Sequence, residues 1–419
     1  MRTTALAALC SLALANAVLA ATDRGTASEM LAGLQDAATR GDSDAMFQLG
    51  LMHAHGRGVT EDDAKAAEWY RQAAEKGDTR AMVNLAAMYT AGEGVRADED
   101  AARRWYQKAA QLGNTRAMTA LGARCASGSG IARDDEAAVG WYTKAARAGD
   151  AQAMFLLASM YGRGRGVDRS EHEAFAWYLK SAQSGNARAM TAVGAACALG
   201  SGTTVNATEA VRWYQRAADA GDANGMANLG LAYLDGTGIA QDRERALHWF
   251  RVAAEFGDVR SMVMLGDLLS RGDRSDALGF SQAIRWYARA SEEGHAGAMT
   301  SLGALFADGK GTDAKPAEAV RLFIAAAKQG VPEAMLNLAG MYRDGRGVAK
   351  SDSEAYFWAR NGAMAMTGER SSAAERFARN LGRKLESDAR TAMDARSDAW
   401  LARARTDEPD AVATGDEGK

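Results

Sequence analysis

The amino-acid sequence predicts an all-α solenoid, in which about nine antiparallel helix pairs are stacked with a period of 36 residues. The first observation is a methionine that follows a small residue and recurs in steps of 36, with one step of 37, at Met46, Met82, Met118, Met154, Met190, Met226, Met262, Met299 and Met335. The second is a tryptophan with the same spacing, at Trp69, Trp105, Trp141, Trp177, Trp213, Trp249, Trp286 and Trp358, with Leu322 in the slot between the last two. A fixed period of this length indicates stacked supersecondary units, each of which buries its apolar face against its neighbours.

Each repeat carries the signals for a first helix, a glycine loop and a second helix. An aspartate or asparagine precedes the first helix in seven repeats, where its side chain can accept hydrogen bonds from free amide groups. These residues are Asp42, Asp78, Asn114, Asp150, Asn186, Asp222 and Asp258. The glycine before each of them is expected to end the preceding helix in a left-handed conformation, and paired loop glycines such as Gly92 and Gly94 permit a tight turn. We expect each tryptophan to bury a large area in the seam between repeats.

The chain is expected to carry helical caps at both ends of the array. Residues 1–21 are predicted to be a signal peptide, and residues 22–42 a capping helix. The nine repeats fill residues 43–363. Residues 364–405 leave the period and predict two amphipathic helices, which would cover the open end of the stack. Residues 406–419 are acidic and contain glycine, so we expect a disordered tail.

The N-terminal stretch predicts export. Arg2 precedes an apolar run from Ala5 to Leu19, and the residues from Val18 to Ala20 fit a small-x-small cleavage site. The run is too short for a transmembrane helix, and a polar segment follows it directly. The chain is therefore expected to be periplasmic or secreted. No later stretch is long and apolar enough for membrane insertion after the signal is cleaved.

Charge and cysteine content narrow the class of protein further. The formal net charge is -3, from 50 Lys and Arg residues against 53 Asp and Glu residues, which predicts no general attraction to nucleic acid. Cys125 and Cys197 occupy the same slot two repeats apart, and this separation exceeds the reach of a disulfide. We expect both to be free residues that fill a core position, which is tyrosine in four other repeats.

The repeat resembles the SLR family (Sel-one-like repeats), a branch of the tetratricopeptide superfamily. The sixth repeat carries the pattern as Leu229, Gly230, Tyr233, Gly236, Gly238, Ile239, Asp242, Ala246, Trp249, Phe250, Ala253, Ala254 and Gly257. The ninth repeat carries it as Leu338, Ala339, Tyr342, Gly345, Gly347, Val348 and Trp358. The resemblance covers residues 43–363 and implies a right-handed superhelix of antiparallel helix pairs.

The resemblance also implies a function. Members of the family mostly act as non-catalytic adaptors or scaffolds that bind other proteins, so a protein or peptide of unknown identity is the expected partner. Exported bacterial members resemble regulators of signalling and factors in envelope or polysaccharide assembly. One secreted branch pairs cysteines within each repeat and is linked to β-lactam binding, but this chain lacks those pairs. Two alternatives therefore stay open: an envelope or exopolysaccharide assembly factor, and an enzyme-like factor that acts on peptidoglycan or β-lactams.

No motif in the sequence predicts an enzyme, a metal site or a cofactor. Ser-x-x-Lys, Gly-x-Ser-x-Gly, His-Glu-x-x-His and a complete phosphate loop are all missing from the sequence. His53 and His55 are two residues apart and therefore diverge on a helix. A carboxylate, a serine and a lysine that converge in one pocket would favour the enzyme-like alternative.

Two sets of polar residues are the candidates for partner binding. Arg80, Arg116, Arg188 and Arg260 stand two residues before the anchor methionine, and Asn84, Asn228 and Asn337 stand two residues after it. The resemblance to tetratricopeptide arrays implies that both positions face a concave groove. Arginine suits a partner's carboxylates because its planar guanidinium donates two parallel hydrogen bonds. The alternative is that an arginine-rich composition simply fills exposed helix positions.

Overall fold

The computed structural model describes residues 24–271, 277–366 and 368–406. The predicted signal peptide, residues 1–21, lies outside the described residues, and so does the acidic tail from residue 407 onward. Residues 272–276, between the two helices of the seventh repeat, lie outside them as well.

The described residues form α-helices joined by turns and loops, and they contain no β-strand. The helices are α1 Arg24–Thr39, α2 Ser43–His55, α3 Asp63–Glu75, α4 Thr79–Ala91, α5 Glu99–Gln111, α6 Thr115–Ser127, α7 Asp135–Arg147, α8 Ala151–Arg163, α9 Glu171–Gln183, α10 Ala187–Leu199, α11 Ala207–Asp219, α12 Ala223–Asp235, α13 Arg243–Glu255, α14 Val259–Ser270, α15 Ala277–Glu292, α16 Ala296–Asp308, α17 Pro316–Lys328, α18 Pro332–Asp344, α19 Asp352–Ala365, α20 Glu369–Gly382 and α21 Ser387–Thr406. The even-numbered helices from α2 to α18 are the first helices of the nine repeats, and the odd-numbered helices from α3 to α19 are the second helices.

The helix pairs build an all-α solenoid, as the period predicts. The chain divides within α13 into two compact units, one ending at Ala246 and the other beginning at Leu247. In the first unit each helix from α2 to α12 packs against the helix before it, and in the second unit the helices from α15 to α20 do the same. Each repeat therefore contributes one layer, and the core runs between the layers.

The predicted caps of the first helices are confirmed. All seven side chains accept a backbone N–H from the first turn of their helix; Ala153, for example, donates to Asp150 Oδ1 at 2.8 Å. The glycine before each cap has a φ between 87° and 96°. The eighth repeat uses His295, whose Nδ1 accepts from the Ala298 N–H at 3.1 Å. Sequence reasoning missed this cap because histidine is not among the preferred capping residues.

The tryptophans bury much of their area, but in most repeats they are not the most deeply buried ring. Trp213 and Trp358 are buried, and the other six are half-buried. Four of these six pack against the core, namely Trp69, Trp105, Trp141 and Trp177. The deeply buried ring is instead the next residue, which follows the tryptophan or, in the eighth repeat, Leu322. Tyr70, Tyr106, Tyr142, Tyr214, Phe250, Tyr287 and Phe323 are 1–8% exposed. One residue further along a helix turns the side chain by about 100°, which in this array points the second ring into the core.

A glycine in the first helix makes room for this buried ring in five repeats. The pairs are Gly50 with Tyr70, Gly122 with Tyr142, Gly194 with Tyr214, Gly266 with Tyr287, and Gly303 with Phe323. A Cβ atom at any of these glycines would lie 2.5–2.7 Å from the ring. The aromatic residue therefore packs directly on the helix backbone, and glycine is the residue that allows this approach.

The two loop glycines have different roles. Gly92 and Gly94 both have positive φ, at 75° and 63°, as the tight turn requires. A Cβ at Gly94 would also lie 2.1 Å from the Asp63 carbonyl oxygen in the preceding repeat, whereas the nearest atom to a Cβ at Gly92 is 3.4 Å away. The second glycine thus sets the contact between consecutive repeats.

Two helices follow the last repeat, α20 and α21. Their apolar residues join the core of the second unit, with Leu381 buried and Phe377, Leu385, Met393 and Trp400 packed against it. Trp400 lies edge-on to Trp358 with ring centroids 6.1 Å apart. These contacts cover the apolar face of the ninth repeat.

Both described cysteines are free and buried, as predicted. Cys125 and Cys197 lie in α6 and α10, in the slot that holds tyrosine in other repeats. Burial raises the pKa of each thiol, so both thiols stay protonated near neutral pH.

Candidate protein-binding face

The predicted binding residues lie on the first helices of their repeats. Arg80, Arg116, Arg188 and Arg260 are exposed in the first turns of α4, α6, α10 and α14. Asn84 and Asn228 are half-buried in α4 and α12, and Asn337 is exposed in α18. We call Arg80, Asn84, Arg116, Arg188 and Asn228, which belong to the first unit, the first-helix row. Arg260 and Asn337 occupy the same positions in the second unit.

Arg80 is held by two carboxylates and an aromatic ring. Its Nη2 atom lies 2.6 Å from Asp44 Oδ1 and 2.6 Å from Asp78 Oδ2. Its guanidinium also lies over the Phe47 ring, 4.3 Å from the centroid. The hydrogen bonds that its guanidinium donates to Asp78 and Asp44 raise the pKa of Arg80 further above its usual range. Arg80 therefore links α2 to α4, and its charge is already balanced within the chain.

The identity of the helix cap decides whether the arginine after it is paired. Arg260 Nε lies 3.6 Å from Asp258 Oδ1, so an aspartate cap engages the following arginine here, as Asp78 does. Arg116 follows the neutral cap Asn114, and Arg188 follows the neutral cap Asn186. Among the ion pairs between described residues, neither Arg116 nor Arg188 takes part in one.

Both asparagine caps are satisfied without these arginines. Asn114 accepts from the Ala117 N–H at 3.0 Å and donates from Nδ2 to the Thr79 hydroxyl at 3.1 Å. Asn186 accepts from a backbone N–H in the same way and donates to Gln152 Oε1 at 3.2 Å. The caps stabilise their helices, and the two exposed guanidiniums keep their hydrogen-bond donors for other acceptors.

Arg188 lies over an aromatic pair that sequence reasoning missed. Its guanidinium is 4.9 Å from the centroid of Phe155, and the Phe155 ring lies 5.4 Å from that of Tyr178. The same arrangement recurs around Arg80, where the Phe47 and Tyr70 rings are 5.8 Å apart. A phenylalanine directly after the anchor methionine is the signal that could have revealed these clusters.

Asn84 lies beside the buried tyrosine of the preceding repeat. Burial raises the pKa of the Tyr70 hydroxyl, and a hydrogen bond from the Asn84 side chain partly offsets this effect. Ser301 occupies the same slot and hydrogen-bonds to Tyr287. In the ninth repeat the preceding aromatic residue is Phe323, which offers no hydroxyl group to Asn337. Asn84 thus contributes to packing, whereas Asn337 is exposed.

The arginines without carboxylate partners lie close to tyrosine hydroxyls. Burial raises the pKa of Tyr106, and the charge of Arg116 acts in the opposite direction. Burial likewise raises the pKa of Tyr178, against the charges of Arg163 and Arg188. These surroundings are positive, and they suit a carboxylate in a partner.

Cation–π pairs follow a second pattern, on the second helices. A lysine or arginine three residues after the tryptophan lies 4.2–5.1 Å from its ring centroid in five repeats. The pairs are Trp105 with Lys108, Trp141 with Lys144, Trp177 with Lys180, Trp213 with Arg216, and Trp286 with Arg289. The two residues of each pair are neighbours on one face of a helix, which brings the cation over the ring.

The described part of the chain also bears on metal, membrane and catalytic sites. No group of three or more His, Cys, Asp or Glu side chains is arranged there to hold a metal ion. No described helix combines the length and the apolar character needed to cross a bilayer. None of the cavities beside Tyr89, Tyr178 and Tyr356 brings a carboxylate, a serine and a lysine together.

Nine helix pairs with this loop and cap geometry define a tetratricopeptide-like repeat protein, and such folds are typical of protein–protein interaction scaffolds. The Sel1 repeat model matches the chain at residues 43–78, 79–114, 115–150, 151–186, 187–222, 223–258, 259–295, 296–331 and 332–365. The chain belongs to the Sel1 repeat family.

Solved structures agree with this assignment. A protective antigen of uropathogenic Escherichia coli with an SLR fold is similar at 29% sequence identity and a TM-score of 0.68, over 92% of this chain and 84% of that chain. A Sel1 repeat protein from Oxalobacter formigenes is similar at 31% identity and a TM-score of 0.51, over 56% of this chain and 100% of that chain. Among the curated proteins, none matches this chain in sequence.

Proposed function

We propose that this chain is an exported, non-catalytic adaptor of the bacterial cell envelope that binds a protein partner along the first-helix row. The observation that carries the proposal is the pair of exposed arginines, Arg116 and Arg188, without carboxylate partners among the described residues. A fold that is typical of interaction scaffolds presents them on the first helices of its layers. Carboxylates of a partner fit these guanidiniums.

Export is the part of the proposal that rests on the N-terminal sequence. Arg2, the apolar run that follows it and the small residues near Ala20 fit a secretory signal peptide. Mass spectrometry of the protein from the envelope and culture fractions is expected to find a mature N-terminus after Ala20 or one residue later. An intact N-terminus on protein from the cytoplasmic fraction would contradict export.

Site-specific crosslinking in intact cells tests the binding face. A photoreactive residue at Ala87, which is exposed on α4 one turn after Asn84, is expected to form a covalent adduct with the partner. The control position is Gly140, which is exposed on the second helix α7 and where an added side chain would have open space around it. Equal adducts at both positions, or none at Ala87, would contradict the proposed face.

Charge reversal tests the two arginines directly. The double variant Arg116→Glu and Arg188→Glu is expected to reduce adduct formation at Ala87 and to leave the helical content unchanged by circular dichroism. The matched control is Arg104→Glu, because Arg104 is exposed on the second helix α5. Undiminished adducts in the double variant would support the alternative that these arginines only fill exposed positions.

The claim that the protein is not an enzyme has its own test. The purified protein is expected to show no turnover of peptidoglycan fragments or β-lactams. Measurable turnover that survives repeated purification would overturn the adaptor proposal in favour of an enzyme-like factor.

A further inference from the structure

A cavity of about 310 Å³ lies between the fourth and fifth repeats, within the first unit. Phe175 and Tyr178 of α9 form one wall, and Ala192 and Ala196 of α10 form the other. Leu199, the last residue of α10, lies at its edge. Ala192 occupies the slot that holds Asn84 in the second repeat, so the cavity adjoins the first-helix row.

A small core side chain in the fifth repeat contributes to the cavity. Ala196 stands six residues after its anchor methionine, and the same slot holds buried methionines in the second, fourth and ninth repeats. These residues are Met88, Met160 and Met341, with exposures of 7%, 5% and 4%. A methionine in this slot occupies the space that alanine leaves open, since protein interiors are otherwise closely packed.

The mouth of the cavity is apolar and exposed. Leu199 is 77% exposed, and Val205, in the loop that follows α10, is 68% exposed. Val205 lies near the mouth because its Cγ2 atom would be 2.9 Å from a Cβ at Gly200, the residue after Leu199. Exposed large apolar side chains beside a cavity are a common feature of interaction sites.

The charge around the cavity is positive. Arg163 and Arg188 are exposed, and both act on the hydroxyl of Tyr178, whose ring lines the cavity. The carboxylate of Glu171 also lines the cavity, but Arg169 Nη2 lies 2.8 Å from its Oε1 atom and balances its charge. The two remaining guanidiniums favour negative charge in whatever occupies the mouth.

We propose that this cavity receives a large apolar side chain from an acidic segment of the protein partner, whose neighbouring carboxylates bind Arg163 and Arg188. The inference rests on the proposed function and adds to it a location and a peptide chemistry. The volume is near the lower end of the range for ligand sites, roughly 300–1,000 Å³, and suits one side chain. An apolar anchor in a pocket with charged residues at its rim is the usual source of affinity and specificity at protein interfaces.

A library of random peptides displayed on phage, selected on the purified full chain, supplies the probe. The selected peptides are expected to share a large apolar residue next to aspartate or glutamate. Binding of the synthetic peptides, measured by fluorescence anisotropy, is expected to weaken roughly tenfold or more with Ala196→Met, because methionine fills the cavity. The control is Ala232→Met, the same substitution in the same slot of the sixth repeat, which does not line this cavity.

Two further variants keep the test decisive if Ala196→Met folds poorly. Leu199→Glu changes an exposed residue and places a negative charge at the mouth, so it is expected to weaken acidic peptides. Arg163→Gln with Arg188→Gln is expected to weaken them as well and to reduce the dependence of binding on salt. Undiminished binding in all of these variants would overturn the proposal.

The outcomes separate this inference from the proposed function. Suppose that the peptides bind the Ala196→Met variant and the parent chain equally well but lose affinity for the Arg116→Glu variant. This result would overturn the proposal that the cavity binds the partner, and it would support binding along the first-helix row. Selection of apolar peptides without acidic residues would overturn the predicted partner chemistry. If the parent chain self-associates and Ala196→Met abolishes that association, the proposal of a peptide ligand is overturned. The cavity would then bind a second copy of the chain.

Discussion

Arg80 reaches the carboxylate of Asp44 in the preceding repeat, with Nη2 2.6 Å from Oδ1. The same guanidinium also binds Asp78, the cap of its own helix. Arg116 and Arg188 occupy the same position after an asparagine cap, and they remain without such a partner among the described ion pairs. An arginine that follows a carboxylate cap is therefore held in an ion pair within the chain. An arginine that follows an amide cap keeps its guanidinium available to a partner, although the two kinds look alike in the sequence.

Changing a neutral cap to an acidic one tests this division. Asn114→Asp is expected to give Arg116 the same ion pair that Asp78 gives Arg80. A negative charge at the helix N-terminus is also favourable, so the free energy of unfolding is expected to rise by about 0.5 kcal/mol. Urea denaturation of Asn114→Asp, with and without Arg116→Gln, measures the coupling between the two residues. If the double variant changes the free energy of unfolding by the sum of the two single-variant effects, the predicted ion pair is contradicted.

The loop glycines of the second repeat offer a matched pair of substitutions. Both Gly92→Ala and Gly94→Ala place a side chain at positive φ, which costs about 1 kcal/mol. Gly94→Ala also drives a methyl group into the Asp63 carbonyl, so it is expected to cost about 1–3 kcal/mol more. Chemical denaturation followed by circular dichroism compares the two. If both variants lower the free energy of unfolding equally, the contact between Gly94 and the Asp63 carbonyl does not contribute to the cost.

Tyr142 is expected to make stability fall at high pH. Burial raises its pKa to about 12, whereas the pKa of an unfolded tyrosine is about 10. Between these values the unfolded chain binds fewer protons than the folded chain, so the free energy of unfolding decreases as the pH rises. The contribution of Tyr142 is fully present below about pH 10 and is lost as the pH rises through about 12.

The variant Tyr142→Phe removes this titration and leaves the packed ring in place. Its stability is expected to fall less steeply than that of the parent chain across that pH window, as measured by urea denaturation at a series of pH values. Because lysines and other tyrosines titrate in both proteins, the difference between the two curves isolates Tyr142. Parallel curves would contradict a raised pKa.

The sequence by itself determined the repeat architecture. The spacing from Met46 to Met335 predicts the number of helix pairs, and the caps and turn glycines predict where their helices begin and end. These signals work without tertiary context because a cap such as Asp150 bonds within its own first turn. The repeat spacing also predicts that the two cysteines are free, because it places them two layers apart, beyond the reach of a disulfide.

Contacts between residues about one repeat apart were decided only by the tertiary structure. The pattern does not distinguish Trp141 from Tyr142 as the buried ring, because both are aromatic and adjacent, and the packing of α6 on α7 makes that choice. Likewise, the pairing of Arg80 with Asp44 depends on the stacking of two layers. The cavity beside Ala196 has the same origin, because an alanine opens space only where no neighbouring side chain fills it.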